Sequence, residues 1–490
     1  MVQGTASSVG KSVVATALCR VLRDEGMRVA PFKAQNMSLN AAVTPAGEEI
    51  GRAQAVQADA AGVPARALMN PILLKPESDG HSQLVVLGRA RGTVAAREYW
   101  REREDLWPIV TGALRELRRE FDVIVIEGAG SAAEMNLRRT DVANMRLARA
   151  ARASVLLVAD IERGGVFAQV HGTLSLLPGS ERALVRGVLV NKFRGDPALF
   201  ESGITALRRL SGVPVLGVLP YVDDLGIPPE DSLSLDDAPR PGALDVAVIR
   251  YPHVSNFDDF APLAAAGAGV RYVRGPAELG VPDLLVLPGS KTTIADLEWL
   301  RERGLGAQLL RLFDAGVPII GICGGFQMLG EELADPAGVE GAVRRVRGLG
   351  LLPVRTVFTS AKRTVPVRGR VRAGGLFASL AGTAFDGYEL HVGDTDRNGC
   401  MPFAELDGAG GTSADGAVSA DGRVIGTYVH GLFARAELRD ELLATLARRR
   451  GITFEPRAVA ADPYAAVARW FRDAVNIPRL LRAVGLSARG

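Results

Sequence analysis

Ten short apolar runs, set out in two series of five, limit what this chain can fold into. The first series is MRVAPF (27–32), FDVIVIE (121–127), SVLLVAD (154–160), RGVLVNK (186–192) and VPVLGVLP (213–220). Runs this short, rich in β-branched residues and without polar alternation, are strands of a parallel sheet covered on both faces. Stretches with helical spacing, among them 11–24 and 141–152, lie between them. The alternation predicts a doubly wound α/β domain. The second series is LDVAVIRYP (244–252), GVRYVRG (269–275), PDLLVLPGS (282–290), VPIIGICGG (317–325) and GTYVHGLF (426–433), which predicts another. Between them, PPEDSLSLDDAPRPGA (228–243) has proline, acids and no apolar period, the composition of a linker. The expected division is 1–235, 244–440 and an arginine-rich helical tail at 441–490. DGAGGTSADGAVSADG (407–422) reads as a flexible loop.

The bulk numbers exclude some partners. Among 490 residues, 58 basic side chains are nearly balanced by 55 acids, leaving a net charge of +3. That balance gives no ground for a nucleic-acid or membrane-surface partner. Cys19, Cys323 and Cys400 are odd in number and unrelated in spacing, so neither a disulfide framework nor a metal-ligand pattern fits them. No apolar run approaches the roughly 18 residues that span a bilayer. No basic-then-apolar leader occupies the start. A reducing cytoplasm is the expected setting.

GTASSVGKS places Gly4, Gly10, Lys11 and Ser12 before a helical stretch. Glycines let backbone N–H groups approach phosphate oxygens, and the helix N-terminus favours negative charge. Lys11 can reach terminal phosphates and Ser12 can ligate Mg²⁺. Five residues separate the glycines, one more than in the common phosphate loop. Only Met1, Val2 and Gln3 precede Gly4, whereas a strand has about five or six residues. The expectation is that the first strand begins upstream of the recorded start. FDVIVIEGAG ends a strand with Glu127 at its carboxyl edge, where open parallel sheets bind ligands. A carboxylate there suits Mg²⁺ beside a nucleotide. Asp160 ends another strand in the same way, and Asn191 in NKFRGD is placed to read a purine edge.

GICGG (321–325) sets Cys323 between glycines at a strand-to-helix junction. This is the logic of the nucleophile elbow: small neighbours permit a strained turn that presents the side chain. The turn aims helix N–H groups at the sulfur, the setting of reactive thiols. The Gly324 N–H can serve an oxyanion hole, with Gly289 of LPGS as second donor. The base comes from His253, His391 or His430; His430 follows the strand GTYV, and His391 in GYELHVG competes with it.

Together, these stretches resemble glutamine-dependent amidotransferases. Residues 244–440 look like a class I glutamine amidotransferase of the cobalamin-pathway type, and the first half resembles dethiobiotin synthetase, a P-loop protein with the wider-spaced loop. From residue 1 to about 435 the chain is similar to the cobyric acid synthase family. That likeness rests on APFKAQNMSLN (30–40), EIGRAQAVQADA (49–60), MNPILLKP (69–76), DIERGGVFA (160–168), HVSNFDDF (253–260), LPGSKTT (287–293), GYELHVG (387–393) and GTYVHGLF (426–433). The resemblance implies that Cys323 attacks the glutamine carboxamide, that His430 moves protons and that Gln327 contacts bound glutamine. It implies ATP and Mg²⁺ at the first site. The acceptor would be a corrinoid, adenosylcobyrinic acid a,c-diamide, amidated at its b, d, e and g carboxylates. Lys33, Asn36, Ser38 and Asn40 are donors fit to hold such an acid. Many class I enzymes carry a Glu two residues after the histidine; here that position is Leu432. The cobalamin-pathway branch generally lacks it too, and a backbone carbonyl or another acid is left to orient His430.

Two readings compete. Cobyrinic acid a,c-diamide synthase shares this architecture, although QNMSLN and MNPILLKP favour the later enzyme. A partitioning-type switch ATPase would suit the phosphate loop but leave the cysteine turn idle. An amidating pair acting on cell-wall lipids usually keeps its two activities on separate chains.

Overall fold

Parallel pairing of the apolar runs organises both halves of the chain. The computed structural model describes residues 1–487 except 79, 224, 228–241, 409–410 and 459–461. Two units emerge. Unit 1 is Met1–Ser38, Glu49–Glu230 and Ala461–Gly490; unit 2 is Leu39–Glu48 and Asp231–Ala460. The expected linker at 228–243 lies, apart from its last two residues, outside the described residues.

In unit 1, strands Val2–Gly4, Val155–Asp160, Val185–Phe193 and Val215–Pro220 pair in that order, all parallel. Val29–Phe32 and Val123–Ile126 pair beside them, tied in by a parallel bridge from Val2 to Glu127. All six residues of Val155–Asp160 are buried, as a strand covered on both faces requires. Helix Lys11–Asp24 packs Val14, Leu18 and Val21 against Val2 and Leu156. The C-terminal helices Ala465–Ala474 and Ile477–Val484 join the same core through Val467, Phe471, Leu480 and Leu481. Trp470 there donates its indole N–H to the Pro220 carbonyl at 2.9 Å. The stretch expected as one tail therefore divides: helix Ala436–Arg450 belongs to unit 2 and the later helices to unit 1.

In unit 2, strands Gly269–Val273, Asp245–Ile249, Leu284–Leu287, Ile319–Ile322 and Val424–Thr427 form a parallel sheet, with Ala417–Val418 antiparallel at its edge. A second sheet is built on the antiparallel strands Arg355–Val371 and Ala384–Asp396; Val429–His430 pairs with the latter, Tyr388 opposite His430. The stretch at 407–422 is not a plain loop. Ala404–Gly408 and Gly411–Asp415 pair antiparallel, with Ala404, Leu406 and Asp415 buried. Among the described residues, no helix is long and apolar enough to cross a membrane.

Candidate active sites

At the carboxyl edge of the unit 1 sheet, Gly10 adopts φ +94° to end the phosphate loop. A Cβ there would lie 2.2 Å from Asn191 Nδ2, so only glycine fits. Lys11 opens the helix and folds back, its ammonium donating to the carbonyls of Ala6 (2.9 Å) and Gly130 (2.8 Å). Ser12 Oγ donates to Glu127 Oε1 at 2.8 Å. Lys33 Nζ reaches that same oxygen at 2.7 Å, and Gln57 Nε2 donates to Oε2 at 2.6 Å. Glu127 is wholly buried, so its charge is viable only because a cation and two further donors surround it. A hydroxyl and a carboxylate oxygen meeting beside a phosphate loop are the hard donors Mg²⁺ prefers, and Ser12 and Glu127 fit that ion.

Six expected residues are held by contacts that the sequence does not announce. Asn191 does not extend freely towards a base: its Nδ2 donates to the Val9 carbonyl at 2.8 Å and braces the loop from beneath. Asp160 pairs with Lys192 at 2.9 Å and accepts from the Glu162 N–H, away from Ser12 in the bonding pattern. Lys33, Asn36, Ser38 and Asn40 do not present one open surface, since each is less than a tenth exposed. Asn36 donates to Gln54 at 3.1 Å, and Lys33 belongs to the phosphate site.

In unit 2 the strand Ile319–Ile322 delivers Cys323 with φ 53° and ψ −111°, a strained geometry for a residue with a Cβ. Its N–H is held by the Thr427 carbonyl at 2.8 Å. Glycine is required next door: a Cβ on Gly325 would stand 1.9 Å from the Leu287 carbonyl oxygen. The thiol donates to the Leu390 carbonyl at 3.6 Å. His430 lies buried across from it. Its Nδ1 is 2.7 Å from Asp259 Oδ2, while Asp259 Oδ1 accepts the Gly431 N–H at 2.8 Å. With Nδ1 turned to Asp259, Nε2 is the nitrogen left for Cys323. Burial pulls His430 towards its neutral form; Asp259 opposes this, Cys323 adds to Asp259, and the pKa rises to about 10. The site is therefore set up to hold an imidazolium beside the sulfur.

The surroundings fix this pair. The Tyr388 ring stacks on His430 with centroids 5.4 Å apart. The Tyr388 hydroxyl and the Asn256 amide both donate to the Ala41 carbonyl, at 3.1 and 2.8 Å. The segment at Gly289 and Ser290 flanks both partners: a Cβ on Gly289 would be 3.1 Å from His430 Cε1, and one on Gly324 2.9 Å from Ser290 N. Gln327 follows one turn after Cys323, with its amide donating to Val392 O and Tyr428 Oη and accepting from Thr293. His391, the competing base, stacks on Tyr428 at 3.7 Å and turns Nδ1 to the Gly393 carbonyl. His253 pairs with Asp296. Leu432 is core, 2% exposed. Asp259 is the residue that sequence reasoning passed over. It lies 171 positions from His430, and its only trace was the stretch HVSNFDDF.

A P-loop α/β unit and a Cys–His–Asp α/β unit on one chain define a glutamine amidotransferase fused to a nucleotide-binding domain. The comparisons agree. Residues 245–438 match the family described as CobB/CobQ-like glutamine amidotransferase domain. Residues 1–235 match the CobQ/CobB/MinD/ParA nucleotide binding domain. The chain is 47% identical to the cobyric acid synthase of Desulfitobacterium hafniense (strain DSM 10664 / DCB-2), over 99% of this chain and 98% of that protein. It is 49% identical to that of Moorella thermoacetica, over 93% and 90%. It is 48% identical to that of Sorangium cellulosum, over 100% and 99%. The chain belongs to the cobyric acid synthase family and is an amidotransferase enzyme.

Proposed function

We propose that the chain amidates the b, d, e and g carboxylates of adenosylcobyrinic acid a,c-diamide, using ATP and glutamine, in cobalamin biosynthesis. The observation that carries this reading is the strained Cys323 turn facing an Asp259-held His430, on a chain that also bears the Lys11–Ser12–Glu127 site. The relatives' shared name supplies the acceptor.

The steps follow from the residues. Cys323 sulfur adds to the glutamine carboxamide carbon; the N–H groups of Gly324 and Gly289 are assigned to the developing oxyanion. His430 gives its proton to the leaving nitrogen, and ammonia departs. The thioester left on Cys323 is hydrolysed by water, which His430 deprotonates, to release glutamate. Gln327 shapes the glutamine pocket. In unit 1 a corrinoid carboxylate takes the γ-phosphoryl group of ATP. Lys11 stabilises charge on that group. Mg²⁺ held by Ser12 and Glu127 would neutralise further phosphate charge. Ammonia then displaces phosphate from the acyl phosphate to give the amide. Asn191 has its nitrogen committed to Val9, so its oxygen remains to accept from an amino group, which suits adenine. Lys33, Asn36, Ser38 and Asn40, buried donors within and on either side of the strand Gln35–Met37, are assigned to the acceptor side. Three free cysteines accord with a cytoplasmic setting.

The test is incubation with ATP, Mg²⁺, glutamine and the a,c-diamide, followed by mass spectrometry. Four added amides support the proposal. No gain overturns it, and conversion of cobyrinic acid to its a,c-diamide instead would reassign the step.

A further inference from the structure

The segment after Glu127 does more than receive Lys11. In unit 1 it forms the floor of a cavity of about 570 Å³, within the range of small-molecule sites. Ala129, Ser131 and Asn144 make that floor. Asn144 pins it, accepting from the Ala129 N–H at 2.9 Å and donating to the Ala129 carbonyl at 2.7 Å. The residue between, Gly130, offers the carbonyl that Lys11 grips at 2.8 Å. The floor is thus one residue removed from the phosphate-loop lysine. Gln35, two residues beyond Lys33, closes another side and is held by the Tyr99 hydroxyl.

The walls carry one more base than acid. Arg103, Arg138, Arg146 and Arg149 line the cavity together with Glu134, Asp141 and Glu181. Two of the three acids are already committed. Glu181 takes Arg138 at 2.8 Å and lies 3.9 Å from Arg149. Asp141 accepts from the backbone N–H groups of Ala143, Asn144 and Arg146. Arg146 is oriented by lying 4.2 Å over the Trp107 ring and by pairing with Glu104. A guanidinium has five N–H donors, so one ion pair leaves the others for a further anion. Several guanidiniums converging on one cavity beside a phosphoryl-transfer lysine suit a ligand with several carboxylates.

We infer that this cavity is the acceptor subsite. One carboxylate of a polycarboxylate macrocycle rests on the floor beside Lys11, and its neighbours engage Arg138, Arg146 and Arg149. The inference rests on the function proposed above and adds where, and by what, the corrinoid is held. It carries a consequence. Each amidation replaces a carboxylate with a neutral amide, so the arginine wall holds successive intermediates less tightly and the finished product least.

The test uses the full chain with Arg138→Gln, Arg146→Gln and, as a surface variant that keeps folding intact, Arg149→Gln. The probes are the a,c-diamide and the fully amidated product. In Arg138→Gln and Arg146→Gln, KM for the a,c-diamide should rise about 10-fold or more, with ATP affinity and glutaminase kcat unchanged. Arg149→Gln should show a smaller rise. Wild type should bind the product more weakly than the a,c-diamide, and added salt should narrow that gap. Unchanged KM in all three variants, with a wild type that amidates normally, overturns the subsite alone. A wild type that neither binds nor amidates the a,c-diamide overturns the proposed function and the subsite together.

Discussion

Replacing Asp259 with Asn tests the geometry of the nucleophile most sharply. The exchange keeps size and one acceptor oxygen but removes the charge that faces His430 Nδ1 at 2.7 Å. Lifting His430 from 6.5 to about 10, at about 1.36 kcal/mol per pKa unit, corresponds to on the order of 5 kcal/mol favouring imidazolium. Asp259 shares that with Cys323. Assigning half to Asp259 leaves about 2–3 kcal/mol, or a loss of roughly 30- to 150-fold in the chemical step. The assay is glutamate release from glutamine across pH 6 to 11. In Asp259→Asn, kcat should fall within about that range. The alkaline limb should move to lower pH, because burial, no longer opposed by the carboxylate, pulls His430 towards neutrality. A stability signature accompanies it. His430 has a folded pKa above its unfolded value, so its contribution is fully present below pH 6.5 and lost as pH rises towards about 10. The difference in unfolding free energy between wild type and Asp259→Asn should shrink across that window. Amidation driven by free ammonia should be spared. A variant with wild-type kcat and an unmoved alkaline limb would refute the assignment of Asp259.

Other expectations follow from single contacts. Tyr388→Phe keeps the stack on His430 but loses the hydroxyl bond to Ala41; at about 0.5–1.5 kcal/mol for such a bond, glutaminase kcat should drop about 2- to 10-fold with the melting temperature nearly unchanged. Gly325→Ala drives a Cβ to 1.9 Å from the Leu287 carbonyl, a backbone atom with nowhere to move, so glutamate release should fall at least about 100-fold. Ser12→Ala removes the hydroxyl beside Glu127; corrinoid-dependent ATP hydrolysis should collapse while basal glutaminase persists. Ending the chain before Tyr464 strips Val467, Phe471, Ile477, Leu480 and Leu481 from the unit 1 core. At about 1.5–3 kcal/mol each, against a typical domain stability of about 5–15 kcal/mol, nucleotide binding should be lost, as calorimetry would report.

Much of the fold could be read in advance because it rests on local composition. VIVI and VLLVAD are short β-branched apolar runs, and the structure makes them strands at 123–126 and 155–160, the second buried throughout. The antiparallel strands were less visible. Arg89–Ala95 is largely exposed and Arg355–Val371 mixes exposed polar with buried residues, so neither carries a continuous apolar signal. Segments that change units, Leu39–Glu48 and the helices after Ala461, depend on tertiary docking that no local pattern announces. The sites divide along the same line. Cys323 and Lys11 announce themselves through their glycine neighbours, whose spacing is a local steric requirement. Asp259, Tyr388 and the Ala41 carbonyl act through contacts between distant stretches. Asn191 is half legible for the same reason: its place at a strand end is local, but the bond of its nitrogen to the Val9 carbonyl is a contact between distant stretches.

The central claim is that Cys323 frees ammonia for an acid that ATP has activated in unit 1. Its most direct measurement is the ratio of glutamate, ADP and amide formed on the a,c-diamide, in wild type and in Cys323→Ala. Wild type should give the three in equal amounts, and Cys323→Ala should form amide with ADP from ammonium alone and release no glutamate. Amide from glutamine without the thiol, or amide formed without ADP, would contradict the account.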